Sequence, residues 1–137
     1  MGTVLVKDIR PGNEQYKESD LNELTAVGDL LFFTAVDGTH GEELWKSDGT
    51  AEGTVLVKDI NPGDDWSTPH HLIAFNNQLF FTLDDYNGTQ GTQLWKSDGT
   101  ADGTSLVKQI GESLTGYSSF AEEVVVGNTL FFEADDG

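Results

Sequence analysis

Oxygen-bearing side chains gather in the loops of this chain, and calcium is the chemistry their types first suggest. Asp37-Gly38-Thr39-His40-Gly41-Glu42-Glu43 and Asp84-Asp85-Tyr86-Asn87-Gly88-Thr89 set carboxylate, amide and glycine close together, and Asp135-Asp136-Gly137 begins a third copy. That composition resembles half of a calcium loop, with Asp37, Asp84, Asp85 and Asn87 as the candidate ligands. The closing Glu that an EF-hand carries at its twelfth position is absent, and a site needs about six converging oxygens.

A second constellation is Ser47-Asp48-Gly49-Thr50-Ala51-Glu52-Gly53-Thr54 with its copy Ser97–Thr104. Asp48, Thr50 and Glu52 offer oxygens to a cation. The stronger reading is structural: Asp and Ser side chains bond to nearby backbone N–H groups and Gly supplies a left-handed step. Asp48, Gly49, Thr50, Asp98, Gly99 and Thr100 are therefore expected to build a turn.

Tyr16, Trp66 and Tyr117 lie in long polar connections and are the candidate ligand platforms, since loops carry recognition and aromatic faces bind sugars or peptides. Trp45 and Trp95 sit within strand-like runs and are expected to pack in the core. His40, His70 and His71 lack metal-ligand spacing, and no HExxH, nucleophile elbow, phosphate loop or dinucleotide motif occurs. Paired acids arise by chance in a chain with 24 of them. No catalytic reading emerges.

The elements that hold these loops come from a repeat. Glu43–Ile60 returns as Gln93–Ile110, fifty positions on, and its tail opens the chain as Gly2–Ile9. Leu31-Phe32-Phe33 recurs as Leu79-Phe80-Phe81 and Leu130-Phe131-Phe132. Each repeat holds four runs rich in Val, Ile, Thr, Phe and Trp, separated by Gly, Asn and Asp, and no convincing helix. Val27-Gly28-Asp29-Leu30, Phe75-Asn76-Asn77-Gln78 and Val126-Gly127-Asn128-Thr129 predict tight two-residue hairpins of type I′.

The run LLFFTAV is apolar on both faces, so its sheet must be covered on both sides. Four-stranded antiparallel sheets stacked around an axis meet that demand, and the period falls in the ~40–50 range of propeller blades. The predicted fold is all-β, with β-propeller blades as four-stranded meanders. Blades at 24–60 and 72–110, a partial third at 123–137 and an orphan outer strand at 1–9 make about two and two-thirds blades. Phe32, Phe80 and Phe131 are expected in equivalent buried places. Lys7, Lys58 and Lys108 are expected at the outer edge, where Lys58→Ala would cost well under ~1 kcal/mol.

Seven basic residues against 24 acidic ones give a net charge of −17, which disfavours nucleic acid. No apolar run of membrane-spanning length occurs. The absence of cysteine excludes disulfides and zinc–thiolate sites.

ELWKSDGTAEGT and QLWKSDGTADGT, each followed by a Leu-Val-Lys strand, resemble the bacterial ELWxxDGT repeat proteins. Glu43-Leu44-Trp45 and Asp48-Gly49-Thr50 match in one copy, Leu94-Trp95 and Asp98-Gly99-Thr100 in the other, with Gln93 replacing the first Glu. The resemblance covers essentially the whole chain. It implies large secreted or surface-associated bacterial proteins, extracellular localisation and a propeller-like array, with no settled activity. The turn is loosely similar to the Asp-box of sialidase propellers. WD and kelch signatures match less well.

The expected function is a non-catalytic scaffold for binding, adhesion or assembly, whose variable connections at 10–22, 61–71 and 111–122 meet a glycan or surface protein. The alternatives are a calcium-dependent lectin-like module and a fragment that oligomerises to complete a ring. Adjoining repeats of a longer chain, or a second copy with Thr3–Ile9 against Leu130–Ala134, would complete the end blades. A homodimer is the favoured oligomer.

Overall fold

A computed structural model of the chain describes residues 2–12, 18–63, 65–84, 91–110 and 120–134. Every element among them is a strand. β1 (Asn22–Val27), β2 (Leu30–Val36), β3 (Glu42–Ser47) and β4 (Val55–Lys58) form one antiparallel sheet in sequence order. β5 (Pro69–Phe75), β6 (Gln78–Asp84), β7 (Thr92–Ser97) and β8 (Ser105–Ile110) form a second of the same kind. β9 (Phe120–Val126) and β10 (Thr129–Ala134) form a third, two-stranded sheet. The two complete meanders stand where the repeat places them, although β1, β5 and β9 begin two or three residues earlier than expected.

The copies agree in register. Leu31 faces Ser47 and Phe33 faces Trp45 in the first sheet; Leu79 faces Ser97 and Phe81 faces Trp95 in the second. Irregularities repeat too. The ladder shifts between Asn22 and Thr25 in β1 and between His70 and Ile73 in β5, where Glu23 and His71 take φ of 56° and 53°. It shifts again where β4 and β8 pass the Trp strand: Leu44 and Trp45 face Lys58 and Leu56, leaving Val57 as an extra residue. Leu94 and Trp95 likewise face Lys108 and Leu106, leaving Val107. A bulge of this kind re-aims the side chains that follow it.

The three hairpin turns differ in type. Asn76 and Asn77 both have positive φ, as type I′ requires, whereas the other two turns carry it only at Gly28 and Gly127, the type II′ pattern. Glycine in the first place admits the second form.

The sheets stack through one apolar cluster. Val27, Phe32, Leu44 and Val57 of the first meet Leu72, Leu79, Phe81 and Leu83 of the second, with Ile60 and Trp95 packed at its margin. Phe33, Ala35 and Trp45 form a separate cluster on the other face of the first sheet, against Ile9. Both faces are therefore covered, as the apolar run demanded. Burial then falls along the chain: Phe32 is 1 % exposed and its counterpart Phe131 is 54 % exposed, so the three phenylalanines are not equivalently buried. Among the described residues, β9–β10 has no third or fourth strand and no further sheet beyond it.

Residues 2–8 form no ladder, so the expected outer strand is not a paired strand among the described residues. Val4 and Leu5 are exposed. A fourth strand owes its ladder to a third, and none of the described strands is hydrogen-bonded as a ladder to this segment.

The loop between β3 and β4 allows a close test of its geometry. Gly53 has no room for a methyl group, because a Cβ there would overlap the Asp48 carboxyl group, and Gly103 stands in the same relation to Asp98. Gly53→Ala should cost about 1–3 kcal/mol. The same change in an Asp48→Ala background should cost less, because the colliding carboxylate is gone. A double-mutant cycle by urea denaturation measures that coupling, and strict additivity would contradict the geometry.

Candidate functional site

The Asp-Gly-Thr turn is a closed hydrogen-bond circuit. Thr50 donates to Asp48 Oδ1 twice, through its N–H at 2.9 Å and its hydroxyl at 2.7 Å, and Gly53 N–H donates to Thr50 Oγ1 at 2.9 Å. The Thr54 hydroxyl donates to the Thr50 carbonyl at 2.7 Å. That leaves Ser47 Oγ as donor to Thr54 Oγ1, 2.7 Å away, while it accepts Gly49 N–H at 3.0 Å. The second copy repeats each bond within about 0.1 Å. Gly49 and Gly99 both adopt φ of 88°, which a side chain would strain. The bonds from Thr50 and Thr100 hold the Asp48 and Asp98 carboxyls below their ordinary range. All six turn residues singled out in the sequence lie in these two circuits.

The turn and the strand after it form the junction between units. Lys58 Nζ crosses from β4 to the Thr104 carbonyl of the second unit, at 2.9 Å, and lies 6.0 Å from the centre of the Trp95 ring. Lys7 Nζ makes the matching bond to the Thr54 carbonyl of the first unit, at 2.6 Å. The segment around Lys7 thus sits on the first unit as β4 sits on the second. Ile9 and Ile60 occupy corresponding apolar sites beside Trp45 and Trp95. The second turn also rests on its neighbour: a Cβ at Gly99 would come 3.3 Å from Phe32 Cζ. At the first turn, a Cβ on Gly49 would meet nothing within 4 Å.

The calcium candidates are not brought together among the described residues. Asp37 Oδ1 accepts from Thr39 N–H, the Thr39 hydroxyl and His40 N–H, and Oδ2 lies 2.8 Å from His40 Nδ1. Burial alone would raise Asp37, but these bonds hold it at about 2, and the same contact raises His40. Asp84 ends β6, while Asp85 and Asn87 lie outside the described residues, as do Tyr16 and Tyr117. No group of three or more His, Asp or Glu able to hold a metal occurs among the described residues.

Trp66 is described and is 57 % exposed. Its ring edge lies over Gly41, where any Cβ would overlap Trp66 Cδ1, and Asn61 Nδ2 donates to its carbonyl at 3.0 Å. One edge is anchored and much of the side chain is open to solvent.

Beneath this loop lies a feature that sequence reasoning missed. Glu43 is wholly buried, with Oε2 accepting from Ser67 Oγ at 2.7 Å and from Ile60 N–H at 3.2 Å. Glu43 Oε1, Asp59 Oδ1 and Thr68 Oγ1 are buried without a hydrogen-bond partner among the described residues. Burial, opposed by the hydrogen bonds and reinforced by Asp59, pushes Glu43 up to about 7. The second unit has Gln93 and Gln109 in these two places, facing each other across β7 and β8. The replacement of two acids by two amides between copies was the signal in the sequence.

The chain matches no family model, no curated protein and no solved structure. Its chemistry must be read from these junctions and loops.

Two outcomes follow from the geometry. Lys58→Ala removes a charged donor from a carbonyl between units and should cost about 1–3 kcal/mol in denaturant unfolding, more than an outer-edge lysine would. A loss below about 0.5 kcal/mol would show that the bond is replaced by water. Glu43, raised above its ordinary 4.5, stabilises the fold fully below that pH, and the contribution is lost as pH rises through about 7. His40, also raised, acts in the same direction. Glu43→Gln should therefore raise the melting temperature at pH 8 and flatten its fall between about pH 5 and 8. An unchanged slope would mean that Glu43 is ionised in the fold throughout.

Proposed function

We propose that the chain is a non-catalytic repeat scaffold of the β-propeller kind, belonging to a secreted or cell-surface bacterial protein and serving binding, adhesion or assembly. The supporting observation is the lysine contact that recurs from unit to unit, Lys7 to Thr54 and Lys58 to Thr104. A contact repeated by the same step adds blades in register, which is how repeat arrays and rings grow. In such an array the strands are architecture and the variable connections are the recognition face. Trp66 is the described aromatic on that face, fixed along one edge and open elsewhere.

The turns and the Asp37 loop spend their oxygens on their own backbone, which supports a scaffold that keeps its shape without a cation. Thermal unfolding in EDTA and in rising calcium distinguishes this from a calcium-dependent lectin-like module. The scaffold reading expects a melting temperature constant within about 1 °C. A steady rise with calcium concentration, the signature of a site present only in the folded state, would favour the lectin.

A further inference from the structure

Among the described residues the lysine series leaves one donor and one acceptor over. Thr3, Thr54 and Thr104 hold the same place before the Leu-Val-Lys run, as Lys7, Lys58 and Lys108 do within it. Lys7 takes Thr54 and Lys58 takes Thr104. Lys108 is exposed, and Thr3 is exposed at the other end of the array.

The apolar contacts leave the same remainder. At the junction between the complete units, Val27 is 7 % exposed, Phe32 1 % and Leu72 8 %. Their counterparts on the outward surfaces are Val126, 60 % exposed, Phe131, 54 %, and Leu24, 61 %. Val126 and Phe131 stand on the β9–β10 sheet, and Leu24 on the first unit. Gly99 covers Phe32, whereas Gly49 covers nothing. Each exposed group at one end thus has its complement exposed at the other, in the arrangement already realised inside the chain.

We infer that a second copy of this chain docks head to tail, its first unit covering the β9–β10 sheet. Val126 and Phe131 of one copy pack under Leu24 and the Gly49 turn of the next, and Lys108 donates to the carbonyl of Thr3 in that copy. The contact is made by stacked faces. Gly2–Ile9 takes the fourth-strand position, which lies two strand spacings from β10, so the two do not share a ladder as the sequence suggested. The inference rests on the scaffold reading and names its partner.

The copy number follows from closure. Each copy contributes two complete blades and one junction, and propellers close at about four to eight blades. Two copies give six positions and three give nine, so the dimer is the closed form.

Sedimentation equilibrium of the full chain between about 1 and 100 μM tests this. The expected mass is twice the 14.9 kDa chain. Phe131→Lys should return it to the monomer, with the circular dichroism of the two complete units retained, because Phe131 is half exposed within one chain and lies outside those units. Lys108→Ala should raise the dimer Kd about tenfold, the cost of one charge-assisted bond. The chain has no cysteine, so Leu24→Cys with Val126→Cys should yield an interchain disulfide under mild oxidation. A monomer at 100 μM overturns the inference, as does a mass that climbs without limit or a dimer indifferent to Phe131→Lys. Calcium-dependent melting would instead defeat the scaffold reading, so the two failures are distinguishable.

Discussion

A sheet that is apolar on both faces cannot stand alone in water, and this constraint governs the molecule. β2 and β6 carry Phe32, Phe33, Leu79 and Phe81, all 2 % exposed or less. One face of the first sheet is closed by the second sheet, the other by the segment leading to Ile9. Burying a phenylalanine side chain is worth about 1.5–3 kcal/mol, so each uncovered face forfeits a large share of a small domain's stability. Stacking is therefore part of how each unit folds. On the β9–β10 sheet the corresponding Phe131 and Val126 are exposed.

Much of this was legible from the residues. Two-faced apolar runs fixed the need for stacking; the echo of Glu43–Ile60 located β3, β4, β7 and β8, and the recurring Leu-Phe-Phe runs with their hairpin turns located the other strands of the complete units, each within a few positions. The Asp-Gly-Thr turns were equally readable, because their bonds run between residues at most seven apart. Local chemistry of this sort repeats whenever the letters do.

The lysines were not legible, and the bulge explains why. Their place late in the fourth strand suggested an outer edge, and in a regular strand Val57 and Lys58 would also point to opposite faces. The extra residue facing the Trp strand breaks that alternation. Val57 then joins the cluster shared with the second sheet while Lys58 reaches the second sheet's Thr104. A period of two, read off the letters, cannot register a slip of one. Burial of the β9–β10 sheet escaped for another reason: equal sequences were assigned equal surroundings, yet surroundings come from neighbours.

The acids complete the physical picture. The net charge is −17, and among the described residues most carboxylates are exposed, where water screens them. Glu43 is wholly buried, and the charge of Asp59 beside it adds to the cost of ionising it. The second unit has Gln93 and Gln109 in these places, less buried than Glu43 and uncharged at any pH, with Gln93 accepting from Trp95 Nε1 and Gln109 donating to the Thr92 carbonyl. Backbone register is kept through both solutions, since Leu44–Lys58 and Leu94–Lys108 pair alike. The ladder therefore tolerates either an acid or an amide at the entrance to β3 and β7. At the first of these two places the buried acid, raised to about 7, ties the stability of the first unit to pH near neutrality.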